Sequence, residues 1–177
     1  MAESQKSRRT LAATTLEGEV HTWTDDISAA ALAEALRAVL KRVKQVDRSY
    51  DIPYVAGYSR DGRTVFIDRH MPRGFAWRRR RIETDRFLVL HEMVEKTLLD
   101  QLRLHYLHAH QIALRTEQAA VRGAGIRWRD YDHFTKLNEK KISDERLTRV
   151  PRALDLTPYR DEEDFATLRR LAKADLL

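Results

Sequence analysis

Four of the seven histidines, His91, His105, His108 and His110, fall inside a window of twenty residues, where a uniform spread would put about one. Two of them stand where a helix hides its apolar side. Over residues 84–102, Phe87, Leu90, Val94, Leu98 and Leu102 recur at helical spacing and define a buried stripe. His91 and Glu95 fall in the middle of that stripe, one turn apart, while Lys96 and Asp100 read as its solvent-facing side. Over residues 105–122, Tyr106, Ala109, Ala113, Leu114, Ala120 and Val121 make a second stripe with His110 and Glu117 at its centre. The connection near Arg103 is short, so the two helices should pack as an antiparallel hairpin. Counting outward from that turn sets Glu95 level with His110, and His91 within about a turn of Glu117.

Ionised side chains are almost never buried without partners. A buried His–Glu hydrogen-bond network that fixes helix register would offset the cost, as would a stripe that is not buried at all. A divalent metal would do so too, since it accepts neutral imidazole and carboxylate together. Two His–Glu pairs facing each other, with Glu92 as a third acid beside them, favour the metal. His91-Glu92-Met93-Val94-Glu95 puts its first and fifth residues on one helical face and its second at the rim. That is the geometry required by the His-Glu-x-x-His motif, where the intervening glutamate activates water.

The elements around this pair read as α+β: a small antiparallel hairpin or sheet packed on helices, with the helix pair carrying the site. Residues 1–15 read as a flexible arm, residues 16–145 as the domain, and residues 146–177 as a helical extension. Leu32, Leu36, Val39, Val43 and Val46 predict a helix from about Asp26 to Val46. Residues 53–59 and 63–68, separated by Arg60-Asp61-Gly62, predict a β-hairpin with Val65 and Ile67 on one face and Phe66 and Asp68 on the other. Residues 69–82, with Pro72, Gly74 and four consecutive arginines, read as an irregular loop. A further helix is expected over 127–141, with Trp128, Tyr131 and Phe134 as its packing edge. A last helix, expected to start at Thr157-Pro158, carries Phe165, Leu168 and Leu171 as a narrow stripe.

The Leu88–Glu95 stretch, with Ala109-His110-Gln111-Ile112-Ala113 and Glu117 downstream and the Phe66-Ile67-Asp68 strand upstream, resembles a minimal zincin-type metallopeptidase. The resemblance covers roughly residues 50–122. It implies hydrolysis of a peptide bond by metal-activated water, with Glu92 as general base. It also implies that the strand Arg63 to Asp68, through Val65, Phe66 and Ile67, is the edge along which a peptide lies. The departure is Glu95, where the family has its second histidine. If His110 supplies that imidazole, the metal ligands become His91, Glu95 and His110, a set that suits zinc with one position open. Glu117 is then either a fourth ligand or an acceptor that orients an imidazole. Two histidines and a carboxylate also describe non-haem iron sites, but those sit on β-barrel strands. Di-iron bundles need Glu-x-x-His pairs, which this chain lacks.

Composition narrows the classes further. The absence of cysteine excludes disulfides, thiolate metal sites and a cysteine nucleophile. The lack of any run of 18 apolar residues excludes a spanning helix, and the polar start argues against a secretory signal, so a cytoplasmic protein is expected. The net charge is +6, and residues 69–86 alone hold seven arginines against two acids. With the charge confined to one loop, nucleic acid is a less favoured partner than a peptide or protein substrate. The alternative reading is a non-catalytic helical protein whose His/Glu network or structural metal only sets packing. Its Arg78–Arg81 loop would bind an acidic partner or nucleic acid.

Overall fold

The computed structural model describes residues 37–174 and 176. The chain divides into two units, Met1–Ala38 and Val39–Leu177, and the elements below belong to the second. The expected arm over 1–15 and most of the helix expected from Asp26 lie outside the described residues. That helix ends at Leu40 rather than Val46, because the chain next extends as β1 (Gln45–Asp47) and pairs parallel with a distant strand. Non-local pairing here overrides a helical spacing of valines.

The Asp-Gly hairpin forms as expected. β2 (Ala56–Tyr58) pairs antiparallel with β3 (Thr64–Ile67), and Gly62 takes φ 67° in the turn. The sheet order is β1-β3-β2, so β3 is the central strand. This corrects the expected substrate edge. Val65 and Phe66 are paired with strands on both sides, Ile67 is paired with Ala56 of β2, and the three are 0%, 4% and 0% exposed, so β3 is not an open edge for a peptide.

The expected irregular loop is a second hairpin, β4 (Gly74–Trp77) with β5 (Arg80–Glu83). Its two turn residues, Arg78 and Arg79, have φ of 45° and 66°. Both positive values match a type I′ turn, where Asn-Gly is the favoured chemistry and each other residue costs about 1–2 kcal/mol. Sequence therefore hid this turn. Gly74 is required where the strands cross, since a Cβ there would lie 2.0 Å from the Ile82 carbonyl oxygen.

Helix α1 (Asp85–Leu102) ends on Arg103 in the left-handed region, φ 51°, and the chain reverses into α2 (Tyr106–Gly123). Ala109 and Ala113, both fully buried, let the two helices approach closely. Leu102, assigned to the buried stripe, is instead exposed at the helix end. α3 (Trp128–Ser143) follows, then α4 (Thr157–Asp161) and α5 (Phe165–Lys173). The expected last helix is thus two, broken where Glu163 takes φ 54° and Asp164 caps α5 by accepting from the Thr167 amide at 2.9 Å.

The core has three parts. One sheet face, Val65 and Ile67, packs on Leu88 and Met93 of α1 and Ile142 of α3. The other face, through Phe66 and Ile52, packs on Leu147, Val150, Leu154, Tyr159 and Leu171. Asp51 fastens this second layer, accepting from the Thr148 and Arg149 amides at 2.6 and 2.8 Å and pairing with Arg69 at 2.6 Å. The third part joins Trp77 and Ile82 of the arginine hairpin to Phe87, Val121 and Tyr131. Architecture is therefore α+β, with α1 packed on the three-stranded sheet and α2 packed on α1.

Candidate metal centre

Residues on one helical face of α1 and on the facing side of α2 meet in the seam between the helices. His91, Glu95 and Glu117 are 8%, 3% and 4% exposed, and His110 is half-buried. Their geometry follows the count outward from the turn. His110 Nδ1 lies 3.0 Å from Glu95 Oε2, and His91 Nδ1 lies 2.9 Å from Glu117 Oε2.

Three donor atoms converge: His91 Nε2, Glu95 Oε2 and His110 Nδ1. They form a triangle with sides of 3.0, 3.2 and 3.6 Å. Donors held about 2.0–2.1 Å from a tetrahedral ion stand about 3.3–3.4 Å apart, so this group can hold a metal ion. With both imidazoles neutral, an ion would also supply the missing positive partner. Glu117, an acceptor only, fixes the proton of a neutral His91 on Nδ1 and leaves Nε2 as a bare lone pair. A cation satisfies all three donors at once.

Glu117 does not join the triangle; it orients His91 and itself accepts from the Tyr131 hydroxyl, which belongs to α3. Glu95 is held on its other oxygen by the Tyr58 hydroxyl of β2 at 2.9 Å. The Tyr106 hydroxyl stands 3.4 Å from His110 Nδ1. Glu117 and Tyr58, which bond the atoms opposite the ligating ones, are outer partners that fix the direction of ligand lone pairs. The Tyr131 hydroxyl is committed to Glu117, and His133, two residues on, is exposed in a different groove.

Electrostatics divide the acids by role. Burial raises the Glu95 carboxyl, but hydrogen bonds from His110 and His91 outweigh it and hold the group below the usual range. Burial, reinforced by the charge of Glu95, pushes Glu92 up to about 8. Burial lowers His91, yet its bonds to Glu117 and Glu95 prevail and raise it well above the ordinary imidazole value. Burial and the neighbouring glutamates keep both tyrosine hydroxyls protonated far above their usual range.

Glu92 and the ligand triangle line a pocket of about 300 Å³. Its other walls are β2, α3 and α4, with Tyr54, Trp128, Tyr159, Glu139 and Glu162 among the lining. Tyr54 and Val55, at the pocket wall, take φ of 64° and 79°. Non-glycine residues held there cost about 1–3 kcal/mol each, a strain found mostly at functional sites. The strand beside the pocket is β2, and its far edge is covered from Tyr58 on, where the Asp155 amide donates to the Tyr58 carbonyl at 2.9 Å.

His105, His108, His70 and Asp68 lie outside the triangle. His105 caps α2 and His108 is exposed. His70 faces Glu145 at 3.2 Å, and Asp68 accepts from the Ile52 and His70 amides. The tyrosine partners Tyr58 and Tyr106 carried no signal in the sequence beyond being apolar-patterned aromatics. No helix among the described residues is long and apolar enough to cross a membrane. Compared with known protein families, with curated proteins and with solved structures, the chain matches none.

Proposed function

We propose that the chain is a metal-dependent hydrolase, a zincin-like metallopeptidase variant in which His91, Glu95 and His110 hold one divalent ion. Zinc suits this set of two imidazoles and one carboxylate. The observation that carries the reading is the convergence of His91 Nε2, Glu95 Oε2 and His110 Nδ1 in the helix seam at the spacing of metal ligands. An ion bound there supplies Lewis-acid polarisation of a scissile carbonyl. Glu92 stands on the same pocket wall one residue from His91, and its carboxylate, once deprotonated beside a bound ion, takes a proton from water and passes it to the leaving nitrogen. Glu117 with Tyr131, and Tyr58, keep the imidazole and carboxylate directions fixed during this exchange. Because β3 is central and β2 is covered beyond Tyr58, the substrate is held by pocket side chains instead of strand pairing.

The test is a quenched fluorescent peptide library offered to the zinc-loaded protein. Glu92→Gln should retain the ion and lose about 10²–10⁴-fold in rate. No cleavage by the zinc-loaded wild type, or equal cleavage by the variant, would overturn the hydrolase reading.

A second reading has its own support. Every buried side-chain polar atom among the described residues has a protein partner, and an imidazolium at His91 between Glu117 and Glu95 would close the network without an ion. The seam would then only set helix register. A metal-free protein whose His91 carries two protons at neutral pH, read by ¹⁵N NMR, selects that alternative.

A further inference from the structure

The arginine hairpin is the feature the metal seam leaves unused. Arg78, Arg79, Arg80 and Arg81 are exposed at and beside its turn. The fold adds what a loop alone would lack: beside the hairpin, the start of α3 brings Arg127 and Arg129 to a groove that Arg78 also lines, together with Phe75, Trp77 and Phe134. Charge from two separate segments thus meets over aromatic rings.

Nearby acids are already engaged. Asp130 accepts from Trp77 Nε1 at 2.7 Å and pairs with Arg127 at 2.8 Å. Asp132 holds Lys136 at 2.9 Å, Glu83 holds Arg81 at 2.8 Å, and Asp85 holds Arg48 at 2.6 Å. Among the described residues Arg78, Arg79, Arg80 and Arg129 have no carboxylate within ion-pair distance. The guanidinium carbons of Arg78 and Arg80 lie 4.7 and 4.9 Å from the Trp77 ring centroid, which props the charges at the groove rim. Phe75 and Phe134 stack at 4.8 Å and are only half-buried.

We propose that this hairpin and groove bind single-stranded nucleic acid, with phosphates on the four guanidiniums and bases against the aromatic lining. Arginines without carboxylate partners beside half-buried rings such as Phe75 and Phe134 fit the pattern that takes single strands with little sequence preference. An anionic membrane would be met by apolar side chains projecting beyond the basic residues. Here the aromatics lie recessed beneath them. The turn itself points the same way, since it carries arginine at both positions where the backbone favours Asn-Gly. The inference is independent of the metal seam, so either can fail alone.

The experiment is fluorescence anisotropy of a labelled mixed-sequence 20-nucleotide RNA titrated with the full chain in EDTA. Four phosphate contacts give a log–log salt slope of about −2.8, or about a 50-fold weakening from 50 to 200 mM KCl. The variant Arg78→Asn/Arg79→Gly puts the favoured residues into the turn, so it preserves the fold. It should bind at least about tenfold more weakly and lower the slope by about 1.4. Undiminished binding by the variant overturns the assignment. So does equal affinity for duplex of the same length, or binding to anionic vesicles or a phosphopeptide but not to the RNA.

Discussion

Glu95 and Lys96 are neighbours on α1, both nearly inaccessible, and they end in opposite kinds of surroundings. Lys96 is closed off. Its Nζ lies 2.8 Å from both Asp100 and Asp155, Asp100 is also held by Arg42, and Asp155 accepts from Thr157. Every charge there has an opposite charge. One residue earlier, two imidazoles and two carboxylates gather with no lysine or arginine among them and open onto a pocket. Tyr58 touches both: its hydroxyl holds Glu95, and its ring lies 5.4 Å from the Lys96 ammonium. A buried charge by itself therefore says little; the balance of charges around it separates a staple from a site.

The largest effect expected from this contrast is at the staple. Lys96→Ala leaves Asp155 buried and uncompensated and should cost about 3–5 kcal/mol by denaturant unfolding, while the ion content stays unchanged. The two clusters should also part in pH. Burial opposes both charges of the pair, but their mutual bonds hold Asp155 below the usual range and Lys96 above it. The Asp155 contribution is thus present above the unfolded carboxyl value of about 3.9 and lost as pH falls through the lower folded value. The Lys96 contribution is complete below about 10.4 and lost as pH rises through the higher folded value. Between about pH 5 and pH 9 the Lys96→Ala penalty should stay flat. Protons compete for the His91 imidazole, which the folded protein holds well above its ordinary value, so the EDTA-sensitive part of wild-type stability should shrink steadily as pH falls from about 9 to about 5. A flat EDTA response over that range would dissolve the contrast.

The smallest effect belongs to the residue shared by the two. Tyr58→Phe removes one hydrogen bond to Glu95 and should cost about 1 kcal/mol. Zinc affinity should also weaken about tenfold, because the ligand carboxylate loses its orienting partner. Unchanged zinc affinity would assign Tyr58 to the staple alone.

Sequence made the helical hairpin and its seam legible because the helical period converts residue number into facing, and a short turn converts it again into level. Those two steps place His91, Glu95, His110 and Glu117 without any long-range knowledge. Strand facing was legible for the same reason: Val65 and Ile67 do part from Phe66. Strand order was not, because β1 joins β3 across sixteen or more residues and nothing local marks it as a strand. The second hairpin stayed hidden behind a turn built from Arg78 and Arg79, residues that backbone preference disfavours there. Lys96 and Asp100 read as surface, and Lys96 is buried only because Asp155 and the residues around it fold over α1. Tyr131 reaches Glu117 from another helix, a contact no spacing rule reports.

The central claim is that the His91, Glu95 and His110 donors grip an ion. Its most direct test is elemental mass spectrometry on chain stripped of metal, reloaded with zinc and passed through gel filtration. Wild type and Lys96→Ala should each carry about one equivalent, whereas His91→Ala and His110→Ala should carry essentially none. Zinc-free wild type, or histidine variants that keep as much zinc as wild type, would contradict the account.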